Sequence, residues 1–375
     1  MRRRAVIASL APLALVLAAC GGDDDSGTGN ADINPVVAGE PLPTDRCDAN
    51  KAAGTITYLS GFDFAAAASI MEVVLADERG YYDELCLDVK LTPSFSTTNY
   101  PLVASNEAQF SSAGSFTELA SFSAANDADL VALSIDGHTP IDVLMVHPEQ
   151  AESLAELTGA TIGIKGALPP AVAVMLKKEA NLTEGEQYST VLVDGFDPIA
   201  HWQLPGIAAI PGWRSNEPGA LERAGLVFDL YDPADYDIPG SFGVIYTSRT
   251  FLEQHPSAVA DFMRATMRGL ADAIADPAGA AAIAVEQING HGNPNFLSPE
   301  GEAFRWATDA QTIVDTTPQG SHIGVPIGTE LEQQISEYAK VGYWGDQQPP
   351  AIEGRYDPEL VKNLYDDKGT VIWPG

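Results

Sequence analysis

Short β-rich runs alternate with helical stretches from Thr55 to Ser248, in two consecutive sets. This alternation constrains the fold more than any other feature. Strand–helix–strand units close into mostly parallel sheets with helices on their faces. In the first set, strands are predicted at Thr55–Ser60, Leu87–Pro93, Ala108–Gly114 and Asp129–Ile135, with helices over Ala65–Arg79 and Ser115–Ala124. In the second, strands are predicted at Asp142–Val146, Ala160–Gly166, Ser189–Asp194, Gly206–Gly212 and Leu226–Tyr231. Helices there cover Pro148–Leu157, Pro170–Ala180 and Gly219–Ala224. Phe242–Ser248 reads as a strand leading away from the second set, and past Thr250 the pattern is mainly helical: Ser257–Ala275, Pro277–Ile288, Pro299–Val314, Gly328–Val341 and Asp357–Asp366.

Two α/β sets followed by helices imply two lobes and two crossovers, near Gly137–Asp142 and Asp237–Phe242, where Gly, Pro and Asp cluster as hinges require. Residues 51–139 and 240–375 would form a discontinuous first lobe, and 140–239 the second. A chain of 375 residues with 45% apolar content can fill two cores. The balance of 52 Asp+Glu against 20 Lys+Arg excludes nucleic acid as a partner, because its backbone needs clustered cations. Most of that acidity reads as a solubility device.

The N-terminus carries Arg2, Arg3 and Arg4, then an apolar stretch from Ala5 to Ala18 that is too short to span a membrane comfortably. Leu17-Ala18-Ala19-Cys20 resembles the bacterial lipobox, in which the cysteine is acylated and becomes the first mature residue. The expectation is a signal peptide over 1–19, a lipid on Cys20, and a body held outside the cell membrane by its acyl chains. A plain secretory signal with Cys20 incidental is the other reading. The Gly-rich, acidic stretch that follows reads as a flexible tether, taken here as 20–50. In an oxidising compartment the remaining pair, Cys47 and Cys86, is expected to form a disulfide.

No nucleophile elbow, zinc-protease helix, phosphate loop or dinucleotide fingerprint is present, and no histidine has metal-ligand spacing. His138 and His201 are expected in the core or at the surface. Neither a catalytic residue, a metal nor a cofactor is assigned. Four loops at strand C-termini stand out, because open α/β sheets bind ligands there. They are Gly61-Phe62-Asp63-Phe64; Ser112-Ala113-Gly114-Ser115, which opens a helix with backbone N–H groups free to donate; Lys165-Gly166; and Trp213-Arg214-Ser215-Asn216-Glu217. Rings give flat apolar contact, and a few polar groups fix orientation. The candidate site is Asp63, Phe64, Ser112, Gly114, Ser115, Lys165, Trp213, Arg214, Asn216 and Glu217. Phe64 as a core ring, Ser115 as a simple helix cap and Lys165 as a solvated side chain are the competing readings.

Asp63-Phe64, Ala76, Gly80-Tyr81-Tyr82 and Leu87-Asp88-Val89, in that order, resemble the opening of the substrate-binding proteins of ABC importers for thiamine pyrimidine precursors, alkanesulfonates, taurine and nitrate. "HPEQAESLAELTGATIGIKG", "GIAAIPGWRSNEPGALERAG" and "FGVIYTSRTFLEQHPSAVADFMRATMRGLADAIADP" resemble later segments of the same family, in the same order, so the likeness runs from about Thr55 to Ala275. It implies a two-lobed, periplasmic-binding-protein-like α/β fold of type II: two doubly wound sheets joined by a two-crossover hinge, closing on a solute. It also implies a monomer that docks on an ABC permease.

In the pyrimidine-binding members, the residues matching Phe64, Trp213, Asn216 and Glu217 contact a heteroaromatic ring. Ala66, Ala67 and Ile70 stand where those members have Pro, Asn and His, which speaks against that ligand itself. Arg214, Lys165 and the N–H groups near Gly114 would suit a sulfonate or nitrate, but Glu217 beside them would repel one. The expected cargo is a small uncharged or zwitterionic ring-bearing solute. The alternatives are an alkanesulfonate, taurine or nitrate carrier, an enzyme like the eukaryotic single-turnover pyrimidine synthase, which uses iron and clustered cysteines, or a structural lipoprotein.

Overall fold

The computed structural model describes residues 33–195, 197–291 and 298–375. The expected signal peptide, Cys20 and the first part of the tether lie outside these residues.

The described chain opens with α1 (Thr44–Ala52), then β1 (Thr55–Leu59), α2 (Met71–Glu78), α3 (Tyr81–Glu84), β2 (Asp88–Thr92) and α4 (Ser96–Ala104). β3 (Phe110–Ala113), α5 (Phe116–Asn126) and β4 (Leu130–Gly137) complete this part. Next come β5 (Asp142–Val146), β6 (Thr161–Ile164), α6 (Pro170–Ala180), β7 (Ser189–Leu192), α7 (Pro198–Trp202), β8 (Ala209–Trp213), α8 (Glu217–Arg223) and β9 (Asp229–Tyr231). The last part is β10 (Phe242–Ser248), α9 (Arg249–Gln254), α10 (Pro256–Ala275), α11 (Pro277–Gly290), α12 (Pro299–Thr316), α13 (Gly328–Lys340) and α14 (Pro358–Lys362).

Two five-stranded sheets result, ordered β2-β1-β3-β10-β4 and β7-β6-β8-β5-β9. In each, one strand opposes the other four: β10 runs antiparallel to β3 and β4, and β5 to β8 and β9. The inversion follows from the path. β4 ends where the chain leaves the first sheet, so β5 starts at the facing rim of the second and runs away from it; β10 mirrors this on the return.

The first sheet is covered on one side by α2 and α10. There Phe262 stacks on Phe110 at 3.9 Å and on Tyr82 at 5.1 Å. Leu119 of α5 and Leu331 and Ile335 of α13 join the core on its other face. The second sheet packs Val172, Met175 and Leu176 of α6 on one side and Trp202 and Leu221 on the other. Tyr338 of α13 belongs to this second core, and its hydroxyl donates to Pro239 O at 2.9 Å, so α13 touches both lobes.

Four expectations change. The tether does not run to residue 50. Arg46 of α1 forms a two-point pair with buried Asp261 (2.7 and 2.9 Å), and the Asn50 amide donates to the same carboxylate at 2.7 Å. The helix predicted from Ala65 begins only at Met71. Over residues 65–70 the backbone N–H groups of Ala66, Ala68 and Ser69 donate to the carboxylates of Glu302, Asp309 and Asp136 instead of to helical carbonyls. The helix over Pro148–Leu157 shrinks to a 3₁₀ turn at Leu154–Leu157, with the Glu152 N–H donating to the Glu156 carboxylate. A helix not foreseen, α7, starts at Asp197-Pro198, where the Asp197 carboxylate caps Ile199 N and Ala200 N. Cys47 and Cys86 are joined, with their Cα atoms 5.3 Å apart.

Candidate functional site

The stretch Ile210–Gly219 ends β8 and opens α8. Glu217, the first residue of α8, folds back beneath the strand. One carboxylate oxygen lies 2.6 Å from Lys165 Nζ, and the other accepts the Trp213 N–H at 2.7 Å. This fold-back is why position 212 is glycine: a Cβ there would stand 2.6 Å from that of Glu217. Burial pushes the Glu217 carboxyl up, but Lys165, the Trp213 N–H and Arg305 outweigh it and hold the group below the ordinary range.

Asn216 reaches the other way. Its side-chain oxygen accepts from Arg305 of α12 at 2.6 Å. Arg305 also pairs with Glu302 at 3.1 Å and lies 5.8 Å over the Phe62 ring. Glu302 accepts the Ala66 N–H at 2.6 Å. A buried chain of contacts therefore runs from the loop after β8, through α12, to the loop after β1. Ser215 and Asp309, both buried, flank it, and burial pushes the Asp309 carboxyl up to about 7.

Trp213 is half-buried against the first core, with its ring edge-on to Phe242 at 6.5 Å. Its ladder partner is Asp142, at the start of β5. Gly166 approaches Thr97 of α4. The lobes thus meet along a closed seam.

The remaining candidates take different places. Arg214 ties the end of β8 to the first crossover, pairing two-point with Asp232 (2.5 and 2.8 Å) and donating to Pro140 O at 3.0 Å. Ser115 caps α5, and its hydroxyl and the Gly114 backbone N–H both serve the Glu118 carboxylate. The N–H groups expected to be free for a ligand therefore already face an internal anion. Burial pushes that carboxyl up to about 7. Ser112 lies under the Tyr58 hydroxyl at 3.2 Å. Phe64 is a core ring 4.6 Å from His291, with Asp63 beside it; burial raises the Asp63 carboxyl, and the Phe64 N–H partly offsets this. The aromatic that borders the polar chain is Phe62. His201 bonds Asp194 O at 2.7 Å within the second lobe, and His138 meets Glu330 at 2.6 Å.

Sequence reasoning placed the helix Pro299–Val314, which α12 matches, but missed its part in the site. Its Glu302, Arg305 and Asp309 share one helical face beside the apolar stripe of Trp306, Ala310 and Ile313, all buried. Three charged residues at that spacing, flush against a core stripe, were the available signal. It also missed Glu118 and Asp142. Ser115-Phe116-Thr117-Glu118 reads as a capping box, which hides the carboxylate in a structural role.

The two sheets and their double connection define a two-lobed, periplasmic-binding-type α/β fold. Within that fold, the chain belongs to the NMT1/THI5-like family, whose sequence model matches residues 67–280. The riboflavin-binding protein RibY of Chloroflexus aurantiacus is 30% identical over 125 residues, a match spanning 33% of this chain and 35% of that protein. The alkanesulfonate-binding protein SsuA of Xanthomonas axonopodis pv. citri shares the fold (TM-score 0.59, 14% identity, 81% of this chain and 98% of that one). So does the nitrate-binding protein NrtA of Synechocystis (TM-score 0.55, 12% identity, 82% and 87%).

Proposed function

We propose that this chain is the extracytoplasmic solute-binding component of an ABC importer. It captures a small, uncharged or zwitterionic, ring-bearing solute between its lobes and presents it, as a monomer, to a membrane permease. A lipid on Cys20 would hold it at the cell surface.

One observation carries the reading. The loops after β1 and β8, about 150 residues apart, meet through Asn216, Arg305, Glu302 and the Ala66 N–H. The Asn216–Arg305 contact breaks when the lobes part, and the Glu302–Ala66 contact when α12 shifts. A ligand that wedges beside Trp213 and bonds the freed groups would favour the closed state by its differential contacts alone. The riboflavin-binding relative supports a ring-bearing cargo.

The donors named for a sulfonate or nitrate are already committed. Arg214 is committed to Asp232, Lys165 to Glu217, and the α5 N-terminus to Glu118. Calorimetric titration with riboflavin, aminopyrimidines, alkanesulfonates and nitrate tests the reading. Binding of a ring-bearing solute with a Trp213 fluorescence change is expected. Silence from every solute, in protein shown to be folded, would end it.

A further inference from the structure

The second sheet ends in β7, which among the described residues has a neighbouring strand on one side only, β6. The N–H groups of Ser189 and Val193 donate to Ala160 O and Ile164 O, both at 3.0 Å. By strand alternation, Thr190 and Leu192 therefore each turn an N–H and a C=O outward. Free edges of this kind are ordinarily blunted by a lysine, a proline or a covering loop. Here Val191 is 42% exposed and Leu192 67%, and the exposed Ile199 and Leu204 follow. Thr190 and Leu192 also line a cavity of about 430 Å³, together with Ile164, Leu168, Ala173 and Tyr343. The Glu184 carboxylate, which accepts from the Thr190 hydroxyl, stands in its wall.

The charge along this edge has one sign. Glu184, Glu186, Asp194 and Asp197 are exposed, and no lysine or arginine occurs between residues 179 and 213. The cations that precede this stretch are committed: Lys177 to Thr183 Oγ1 at 2.8 Å, Lys178 to Tyr236 O at 2.7 Å, and Lys165 to Glu217. A second copy would bring the same acids to the edge, on a chain of net charge −32, so self-pairing is opposed. We propose that the β7 edge is a docking site for an extended, basic segment of another protein. The segment adds a strand to the sheet, sets an apolar side chain into the adjoining cavity and places its cations against the acids. Main-chain bonds then supply affinity, and the alternate side chains supply specificity. The proposal does not depend on what the lobes hold between them.

The test uses fluorescein-labelled peptides and anisotropy on the full chain near neutral pH. The basic probe is acetyl-Lys-Val-Lys-Val-Lys-Val-Lys-amide, and the same peptide with glutamate for lysine should bind at least about 10-fold weaker. Two N-methylated forms of the basic probe separate strand addition from simple charge attraction. Methylating the valine amides or the lysine amides strips the donors from one edge of the peptide. One form should lose at least about 10-fold, the scale of two backbone hydrogen bonds, and the other little. Leu192→Lys puts a cation on the exposed edge and should abolish binding of the basic probe with the melting temperature unchanged. If that variant fails to fold, the methylated pair on the unaltered chain decides. Equal binding of the acidic probe, equal effects of the two methylations, unaltered binding by folded Leu192→Lys, or no binding by any probe overturns the proposal. So does a dimer in sedimentation velocity that Leu192→Lys dissolves, which would make a second copy the occupant.

Discussion

Replacing Arg305 with methionine isolates the contact on which the seam depends. The guanidinium is buried, donates to Asn216 at 2.6 Å and pairs with Glu302 at 3.1 Å. Methionine keeps most of the side-chain volume but leaves Glu302 a buried carboxylate whose remaining hydrogen bond is the Ala66 N–H. Removing one partner of a buried ion pair costs about 3–5 kcal/mol. The orphaned Asn216 oxygen adds about 1 kcal/mol, for a total near 5 kcal/mol. The double change Glu302→Gln with Arg305→Met removes the stranded charge and keeps an acceptor for Ala66, so it should recover at least about 2 kcal/mol of that loss. Urea unfolding followed by tryptophan fluorescence, extrapolated to water, measures both. A single-variant loss below about 1 kcal/mol, or a double variant less stable than the single, would show that the Arg305–Glu302 pair does not hold the seam.

The other tests are simpler. Burial raises the carboxyls of Glu118, Asp136 and Asp309 to about 7, so the folded chain holds protons that the unfolded chain sheds near pH 4. Stability from these groups is full below that pH and is lost as pH rises through about 7, so the melting temperature should be higher at pH 5 than at pH 8; Glu217, held low, acts with opposite sign only at more acid pH. An unchanged melting temperature would mean that these groups are ionised in the fold. Reducing the Cys47–Cys86 bridge, which spans 39 residues, should lower unfolding free energy by about 4 kcal/mol on the loop-entropy scale, and the paired serine variant should match it. Gly212→Ala should cost about 2 kcal/mol by pushing Glu217 off Lys165, with a shift in Trp213 emission as its signature.

The two sheets were legible because their strands carry the signal themselves: Phe242–Ser248 and Asp142–Val146 occupy the residues their apolar runs marked. Pro170–Ala180 was equally plain, framed by a proline start and Asn181 in the left-handed conformation at its end. What the sequence hid depends on partners far along the chain. Ala65–Ile70 has the composition of a helix, yet carboxylates from β4 and α12 claim its N–H groups. Residues 44–50 look like a continued tether until Asp261 supplies a buried partner for Arg46 and Asn50. In the seam, the segment Trp213–Glu217 stood out as too polar for a core and too long for a minimal turn. The roles within it were invisible, because Arg214 and Asn216 are defined by Asp232 and Arg305, neither of which neighbours them in sequence.

The inverted strands β5 and β10 have a mechanical consequence. The backbone passes between the halves twice, over residues 138–141 and 237–241, so neither half can drift from the other or turn its back on it. Their encounter is intramolecular, at an effective concentration set by two short straps and independent of how many copies share the medium. On the solute-carrier reading proposed above, such a clasp would shut as readily when the protein is scarce as when it is abundant, leaving the abundance of the cargo to determine how often it stays shut.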